Sequence, residues 1–411
     1  EARFDHNSNG DSLGLLIEES RTNIIRESTN LNNTAQWNTS VNPGSLNQAA
    51  NQGWMVATAN TTEIVAPDGT YSACKLSGNT ASTYDKNYNV HVVPNASNHS
   101  MAQTTVYSYS VFINDPDGVI DSRYTLEFQH GSRYSNTNGR AIFDLVNNTV
   151  TYNSHVTSSA PGKIEPYPNG WKKLTATFNS TSAGGPRFYL KEITPRTNNV
   201  TQFSANGEKF YVWGFQIEEG DFPTSYIPTS GSTYQRLADE ASITGNTWDN
   251  IFIEGSNSIV ADGSFNYNVN SSTFPNSFAG PNLFTLNSDT NQVWYFYREN
   301  TSRGPVSGVG GGGTVEFFHN TVTQTTGLFK TCFTWDVPND RTYSAWNGDL
   351  SSSNPQGRAL YWVQKLRNNS NAGITIGGQN TANRTPLNGC VSRIAIYNAA
   401  MTDSALEALT L

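Results

Sequence analysis

The sequence predicts an all-β chain folded as two tandem antiparallel β-sandwich domains with one short C-terminal helix. Three observations carry this reading. Helical periodicity is almost absent; instead, short stretches of alternating apolar and polar residues are separated by Gly, Pro, Asn and Asp every ~8–12 residues, the spacing of sandwich strands and turns. Charged residues make up only 14% of the chain while aromatics reach 12%, the balance of a neutral, turn-rich β protein. A length of 411 residues allows more than one domain, each able to bury its own core without metal or disulfide support.

The elements follow in order. Asn9-Gly10 is hairpin chemistry, and Leu13, Leu15 and Ile17 alternate behind it as a strand entering the first sandwich. Strands are predicted over Thr105–Ile113, Arg140–Val146 and Trp171–Phe178; in the last, Trp171, Leu174, Ala176 and Phe178 largely share a face, with polar partners outward. Asp115-Pro116-Asp117-Gly118, Asn147-Asn148 and Pro168-Asn169-Gly170 supply turns. From Pro223 to Thr244 the alternation lapses into a Pro/Ser/Thr/Gly stretch, which places the domain boundary near residue 240 and gives domains 1–240 and 241–411. Beyond it, Val293–Tyr297, Lys330–Trp335, Thr342–Trp346, Gly373–Gly377 and Val391–Tyr397 read as strands, with Trp335 and Trp346 in the core. Ser404-Ala-Leu-Glu407 forms a capping box that opens the one expected helix, from which Leu406 and Leu409 pack back on the sheet.

Charge and cysteine content narrow the function classes. The formal charge is −8, from 33 acidic and 25 basic residues, and no run of cations exceeds Lys172-Lys173. Tracking a phosphate backbone needs clustered cations, so nucleic acid is not an expected partner. The early apolar run Leu15–Ile17 is far short of the ~20 residues of a membrane helix, and no signal-peptide pattern is present, so no membrane association is expected. Cys74, Cys332 and Cys390 make no C-x-x-C pair; they read as buried thiols, with a Cys332–Cys390 bridge as the lesser alternative, and free thiols fit assembly in a reducing cytosol.

Six segments in register, "LGLLIEESRTNII", "PDGTYSACKLSG", "YSYSVFIN", "RAIFDLVNNTV", "NGWKKLTATF" and "FYVWGFQIEEGDFPTSYIPTSGSTYQRLADEASITG", resemble the carbohydrate-binding-module-like jelly-roll domain of bacteriophage tail fibres and other adhesin-type structural proteins. Residues from about 250 onward, with "FTWDVPNDRTYSAWNGD" and "GITIGG…PLNGCVSRIAIYNAAMTDSALEAL", resemble the laminin-G-like branch of the concanavalin A-like lectin/glucanase superfamily. The resemblance implies two jelly-roll-type sandwiches in a non-enzymatic virion protein that binds host-surface glycan. It further implies contacts with other virion proteins, a homo-oligomer (a trimer, as in tail fibres), assembly in the bacterial host cytoplasm and a final place on the particle surface. Two alternatives stand beside it: a capsid-attached decoration or head-fibre protein, and a tail-spike-type polysaccharide depolymerase whose acids come from distant strands.

Each candidate site has a simpler structural reading. Asp5, Asn7, Asn9 and Gly10 match the opening of an EF-hand loop, but Leu16 stands where the bidentate Glu belongs, and a hairpin turn accounts for the same residues. The closely alternating carboxylates of a glucanase are absent, and Glu218-Glu219 are neighbours on a strand that point to opposite faces. The histidines at 6, 91, 99, 130, 155 and 319 lack zinc spacing. Gly304–Gly308 falls short of a nucleophile elbow, and the glycine run 308–313 lacks the Lys-Ser/Thr of a phosphate loop. No catalytic residue, metal ligand or cofactor is expected. What remains are aromatics, on which sugar rings stack through their C–H faces. Trp54, Trp294, Tyr295 and Trp362 are the candidates for carbohydrate contact, with the core as the alternative place for each; Trp248 also lies in an irregular stretch and is a candidate for exposure.

Overall fold

The first long strand does not enter the first sandwich. Leu15, Leu16 and Ile17 pair antiparallel with Val391, Cys390 and Gly389, nearly the whole chain away. The computed structural model describes residues 2–7, 9–33, 35–38, 41–42, 55–78, 89–94, 101–102, 105–118, 124–130, 139–152, 162–179, 186–192, 209–253, 255–266, 281–287, 291–297, 305–311, 314–319, 327–339, 341–353, 372–378 and 386–411. It divides into a unit of Arg21–Arg236 and a terminal unit of Glu1–Ser20 with Leu237–Leu411. The first boundary thus differs from the sequence reading: residues 1–20 belong with the C-terminal half, and one unit is inserted into the other. Insertion needs entry and exit to be adjacent. In the inserted unit Arg21 pairs with Arg236 and Asn23 with Tyr234. In the terminal unit the Glu18 amide donates to Asp239 Oδ2 at 2.8 Å and the Asp239 amide donates back to the Glu18 carbonyl at 2.9 Å.

Both units are all-β and antiparallel. The inserted unit has one sheet in the order Lys163–Pro166, Lys172–Asn179, Val106–Asn114, Lys209–Glu219, Cys74–Gly78, Met55–Thr58. The other runs Thr149–Tyr152, Gly139–Asp144, Tyr124–His130, Pro186–Glu192, Asn89–Pro94, Trp37–Asn38. Alternation explains their packing: Tyr107, Tyr109, Val111 and Ile113 meet Leu174, Ala176 and Phe178 from the first sheet and Phe128, Ala141 and Phe143 from the second in one core. Trp171 departs from the predicted face. It precedes its strand and packs instead with Phe112, Tyr211 and Trp213 on the opposite side of the sheet, its indole N–H on the Val65 carbonyl at 2.9 Å.

In the terminal unit one sheet runs Phe4–His6, Ser12–Ile17, Gly389–Tyr397, Asn257–Phe265, Gly327–Asp336, Arg341–Trp346, Asp349–Ser353. The second runs Ala241–Thr244, Gly373–Ile376, Asn282–Asn287, Asn291–Tyr297, Pro305–Gly311, Thr314–His319. Trp335 and Trp346 are fully buried, as expected. The C-terminal helix spans Asp403–Thr410 and is capped by Thr402, whose side chain accepts from the Ala405 amide, rather than by Ser404. Leu406 is fully buried against Val260, Cys332 and Ala345, with Leu409 at the edge. A second helix, Gly245–Ile251, was not predicted; its Trp248 is fully buried, stacked on Phe252 at 4.6 Å and 14°, and is not exposed.

The leading hairpin forms as a turn. Asn7 Oδ1 accepts from the amides of Asn9 and Asp11, each at 2.9 Å, and Gly10 adopts φ +86°. The three cysteines are buried free thiols, each pushed up to about 12 by burial. Cys332 and Cys390 flank the strand Asn257–Phe265 on opposite sides, opposite Val260 and Ser264. Two strand spacings, roughly 10 Å, exceed the reach of a disulfide, so the bridge does not form.

Candidate functional site

A pocket of about 270 Å³ opens on the outer side of the inserted unit's first sheet, with Asp68, Ser72, Trp213, Tyr226 and Thr229 in its wall. Its position follows from one irregularity. Along Lys209–Glu219, Phe210 and Val212 face the core while Tyr211 and Trp213 face outward. Strict alternation would send Phe215 outward too, yet Phe215 and Ile217 lie in the core. The register slips between Trp213 and Gln216, and Gly214 takes φ +67°: a bulge that inverts the parity of everything after it. Buried Asn23 fixes this bulge, its side-chain amide donating to the carbonyls of Phe215 (3.2 Å) and Ile227 (2.9 Å) and its Oδ1 accepting from the Ile217 amide at 3.2 Å.

Past the bulge the outer face is polar, and it is covered. Ser108, Ser110, Thr175, Thr177, Gln216 and Glu218 are all buried there. The covering segment is the Pro/Ser/Thr stretch after Gly220, held as a strap by side chains beneath it. Gln216 Oε1 accepts from the Ile227 amide at 2.6 Å, its Nε2 donates to the Ser225 carbonyl at 3.2 Å, and Glu218 Oε2 accepts from the Thr224 amide at 2.9 Å. These bonds keep the cost of burying Gln216 and Glu218 small, whereas the Ser108 hydroxyl has no partner among the described residues. Glu218 and Glu219 do face apart, the first fully buried and the second exposed.

Burial raises the Glu218 carboxyl above its usual range, with the Thr224 bonds and Arg21 opposing in part. The folded state therefore holds this proton more tightly than the unfolded chain. Its contribution to stability is fully present below the ordinary carboxylate pKa and is lost as pH rises through the raised value. Glu218→Gln should accordingly gain stability relative to the parent as pH rises from about 4 to about 8. Denaturant midpoints of both proteins at each pH measure this, and a constant difference would contradict it.

The strap delivers Tyr226 to the pocket. Its partly exposed ring lies against Trp213, centroids 4.2 Å apart at 50°, and its hydroxyl meets Ser28 Oγ at 2.5 Å. Trp213, itself 3% exposed, backs that ring and packs edge-on against Phe112 at 5.3 Å. The indole N–H of Trp213 donates to Ser72 Oγ at 2.8 Å, and Ser72 in turn lies 3.3 Å from Asp68 Oδ2. Thr229 lines the same pocket; its amide donates to Ser28 Oγ at 3.0 Å, and its own hydroxyl is buried with no hydrogen-bond partner among the described residues. The phenol of Tyr226 is pushed up to about 12, first by burial and then by Asp68 and Glu27, which oppose a phenolate.

None of the aromatics singled out in the sequence is among the described residues that line this pocket. Trp54 and Trp362 lie outside the described residues. Trp294 and Tyr295 stand on Asn291–Tyr297, opposite Thr285 and Phe284, and their side chains lie outside the description. Trp213 and Tyr226 were missed as site residues. The available signal was the run Tyr211-Val-Trp-Gly-Phe-Gln-Ile217, where aromatic parity breaks across a glycine inside a strand.

No family model matches the sequence, and neither does any curated protein. Among solved structures, the chain is similar to the CBM40 of the Ruminococcus gnavus IT-sialidase at 13% identity, over 42% of this chain and 96% of that one, with a TM-score of 0.29. The NanB sialidase from Streptococcus pneumoniae is similar at 17% identity, over 42% of this chain and 26% of that one, with a TM-score of 0.31. A heptameric SAP-like pentraxin from Limulus polyphemus gives 12% identity, 38% and 69% coverage, and a TM-score of 0.28. TM-scores this low leave the chemistry of the site to rest on the pocket's own residues.

Proposed function

We propose that the protein is a non-enzymatic adhesin of a bacteriophage virion, of tail-fibre type, that binds host-surface glycan through the Tyr226 pocket. The observation that carries the glycan reading is the partly exposed Tyr226 ring, backed by Trp213 at 4.2 Å and rimmed by Ser72, Thr229 and Asp68. A pyranose offers a C–H face for such a ring and hydroxyls for short polar side chains, and a pocket with one apolar wall and a few fixed polar groups suits it. The virion role is supported by the resemblance of the six sequence segments to phage adhesin domains. The non-enzymatic reading is supported by the pocket's wall: Asp68 is the one carboxylate among its described lining residues, whereas glycoside hydrolysis uses a pair flanking the bond. A homo-oligomer, as in tail fibres, would repeat a weak site and raise avidity without new contacts.

Binding of the soluble protein to host-cell polysaccharide, read by affinity electrophoresis, tests this. Tyr226→Ala should weaken retardation at least about tenfold, about 1.4 kcal/mol, and well-folded parent protein in excess should compete with phage adsorption. Undiminished binding by Tyr226→Ala would remove the pocket from the mechanism. Steady release of reducing ends from the polysaccharide would overturn the non-enzymatic reading.

A further inference from the structure

The described wall of the pocket carries an anionic acceptor, Asp68, and no cationic donor. The Trp213 indole N–H is engaged by Ser72 Oγ at 2.8 Å. The Thr229 amide is engaged by Ser28 Oγ at 3.0 Å, and Pro228, next to it in the wall, has no N–H. Among the described residues lining the pocket, none is Lys, Arg or His. On the acceptor side, Asp68 Oδ1 takes the Thr70 amide at 3.0 Å and the Thr70 hydroxyl at 2.8 Å, while among the described residues Oδ2 has only the longer 3.3 Å approach of Ser72. A carboxylate has about four acceptor positions, so Asp68 keeps unused acceptor capacity. Thr29, Ser72, Thr229 and Ser230 add side-chain hydroxyls to the wall, all of them neutral.

A bound carboxylate or sulfate needs donors, and preferably cationic ones, because acceptor faces acceptor otherwise. A sugar hydroxyl suits what is there: it donates to Asp68 Oδ2 and accepts from a threonine or serine hydroxyl. The field at the ring has the same sign as Asp68. Both Asp68 and Glu27 oppose ionisation of Tyr226, adding to the larger effect of burial.

We infer that this pocket selects uncharged pyranosides and rejects sugars carrying a carboxylate or sulfate. This rests on the glycan-binding reading above and narrows it to a substrate class. The overall charge of −8 works in the same direction at longer range, screened by salt.

Matched pairs differing only at C6 give the test: the methyl glycosides of glucose and galactose against the methyl glycosides of glucuronic and galacturonic acid. Dissociation constants are measured on the full chain by ligand-observed NMR titration. At least one neutral glycoside should bind, its uronate should bind about tenfold or more weakly, and Tyr226→Ala should abolish the neutral binding. Asp68→Asn keeps the Oδ1 acceptor that holds Thr70 and removes the charge; it should shrink the gap to under about threefold, as should raising salt from about 0.05 to about 0.5 M. A uronate that binds as tightly as its neutral partner overturns the selectivity while leaving glycan binding intact. Neutral binding that survives Tyr226→Ala overturns the assignment to this pocket, and no binding by any glycoside overturns the glycan reading together with the inference.

Discussion

Gly214→Val is expected to lower the unfolding midpoint of the inserted unit by roughly 10 °C and to abolish glycan binding. Gly214 sits at φ +67°, where a β-branched residue is strained, and a Cβ there would lie 3.2 Å from both the Phe112 and Tyr226 rings. Backbone strain of ~1–3 kcal/mol and overpacking of ~1–3 kcal/mol together come to about 3–4 kcal/mol. At ~2–4 °C per kcal/mol for a domain of this size, the shift follows. Neither ring can yield cheaply: Phe112 is buried against Trp213, and Tyr226 is tied to Ser28 through its hydroxyl. Relief through a flattened bulge would return Phe215 to the outer face and strip the core of its ring, a larger loss. Gly214→Ala should give about half the effect, since its strain is smaller. Calorimetry on the intact chain reads both variants; a midpoint unchanged in Gly214→Val would mean that the bulge does not set the parity of this strand.

That bulge also marks where the sequence ceased to be legible. Alternation placed Val106–Asn114, Lys172–Asn179, Gly327–Asp336 and Gly389–Tyr397 within a residue or three, because side-chain parity is a local property of each strand. The break at Gly214 is local as well, but its consequence is not: it depends on Asn23, far earlier in the chain, holding the carbonyls of Phe215 and Ile227. The Pro/Ser/Thr stretch after Gly220 read as the approach to a domain boundary because it has no period. It is a strap whose order comes from Gln216 and Glu218 beneath it, and the site residue Tyr226 belongs to that strap. Helix Gly245–Ile251 escaped for a different reason: seven residues are fewer than two full turns of helix, too short to show a period. The ownership of residues 1–20 was hidden most completely, since hydrophobic alternation at Leu13, Leu15 and Ile17 says that a strand exists but not which sheet receives it.

Gly14→Val is expected to destabilise the terminal unit by about 4 kcal/mol and leave the inserted unit unchanged. Gly14 has φ +112°, and a Cβ there would lie 2.3 Å from the Val391 carbonyl oxygen and 2.7 Å from Ser392 Cα. Those are main-chain atoms of the neighbouring strand, which has Asn257–Phe265 hydrogen-bonded along its other edge, so the clash is relieved by moving the N-terminal strand away. With it go Leu16 and Ile17, 7% and 1% exposed, whose removal from the core costs ~1.5–3 kcal/mol each. Ile17 packs directly onto the backbone at Gly377, where any Cβ would meet it at 2.4 Å. The hydrogen bonds that Glu19 and Asn388 exchange, and the ion pairs of Arg3 with Glu18 and Asp239, depend on the same strand. Gly10→Val at the tip of the same hairpin is the control. It too has positive φ, but open space surrounds it, so it should cost only the backbone strain of ~1–3 kcal/mol and keep the strand paired. Hydrogen exchange read by mass spectrometry separates the units: in Gly14→Val, peptides covering Gly389–Tyr397 and Gly327–Asp336 should lose protection while those covering Val106–Asn114 keep it. Loss of protection in Val106–Asn114 instead would place residues 1–20 in the first sandwich, as their position in the chain suggests, and would refute the inserted architecture.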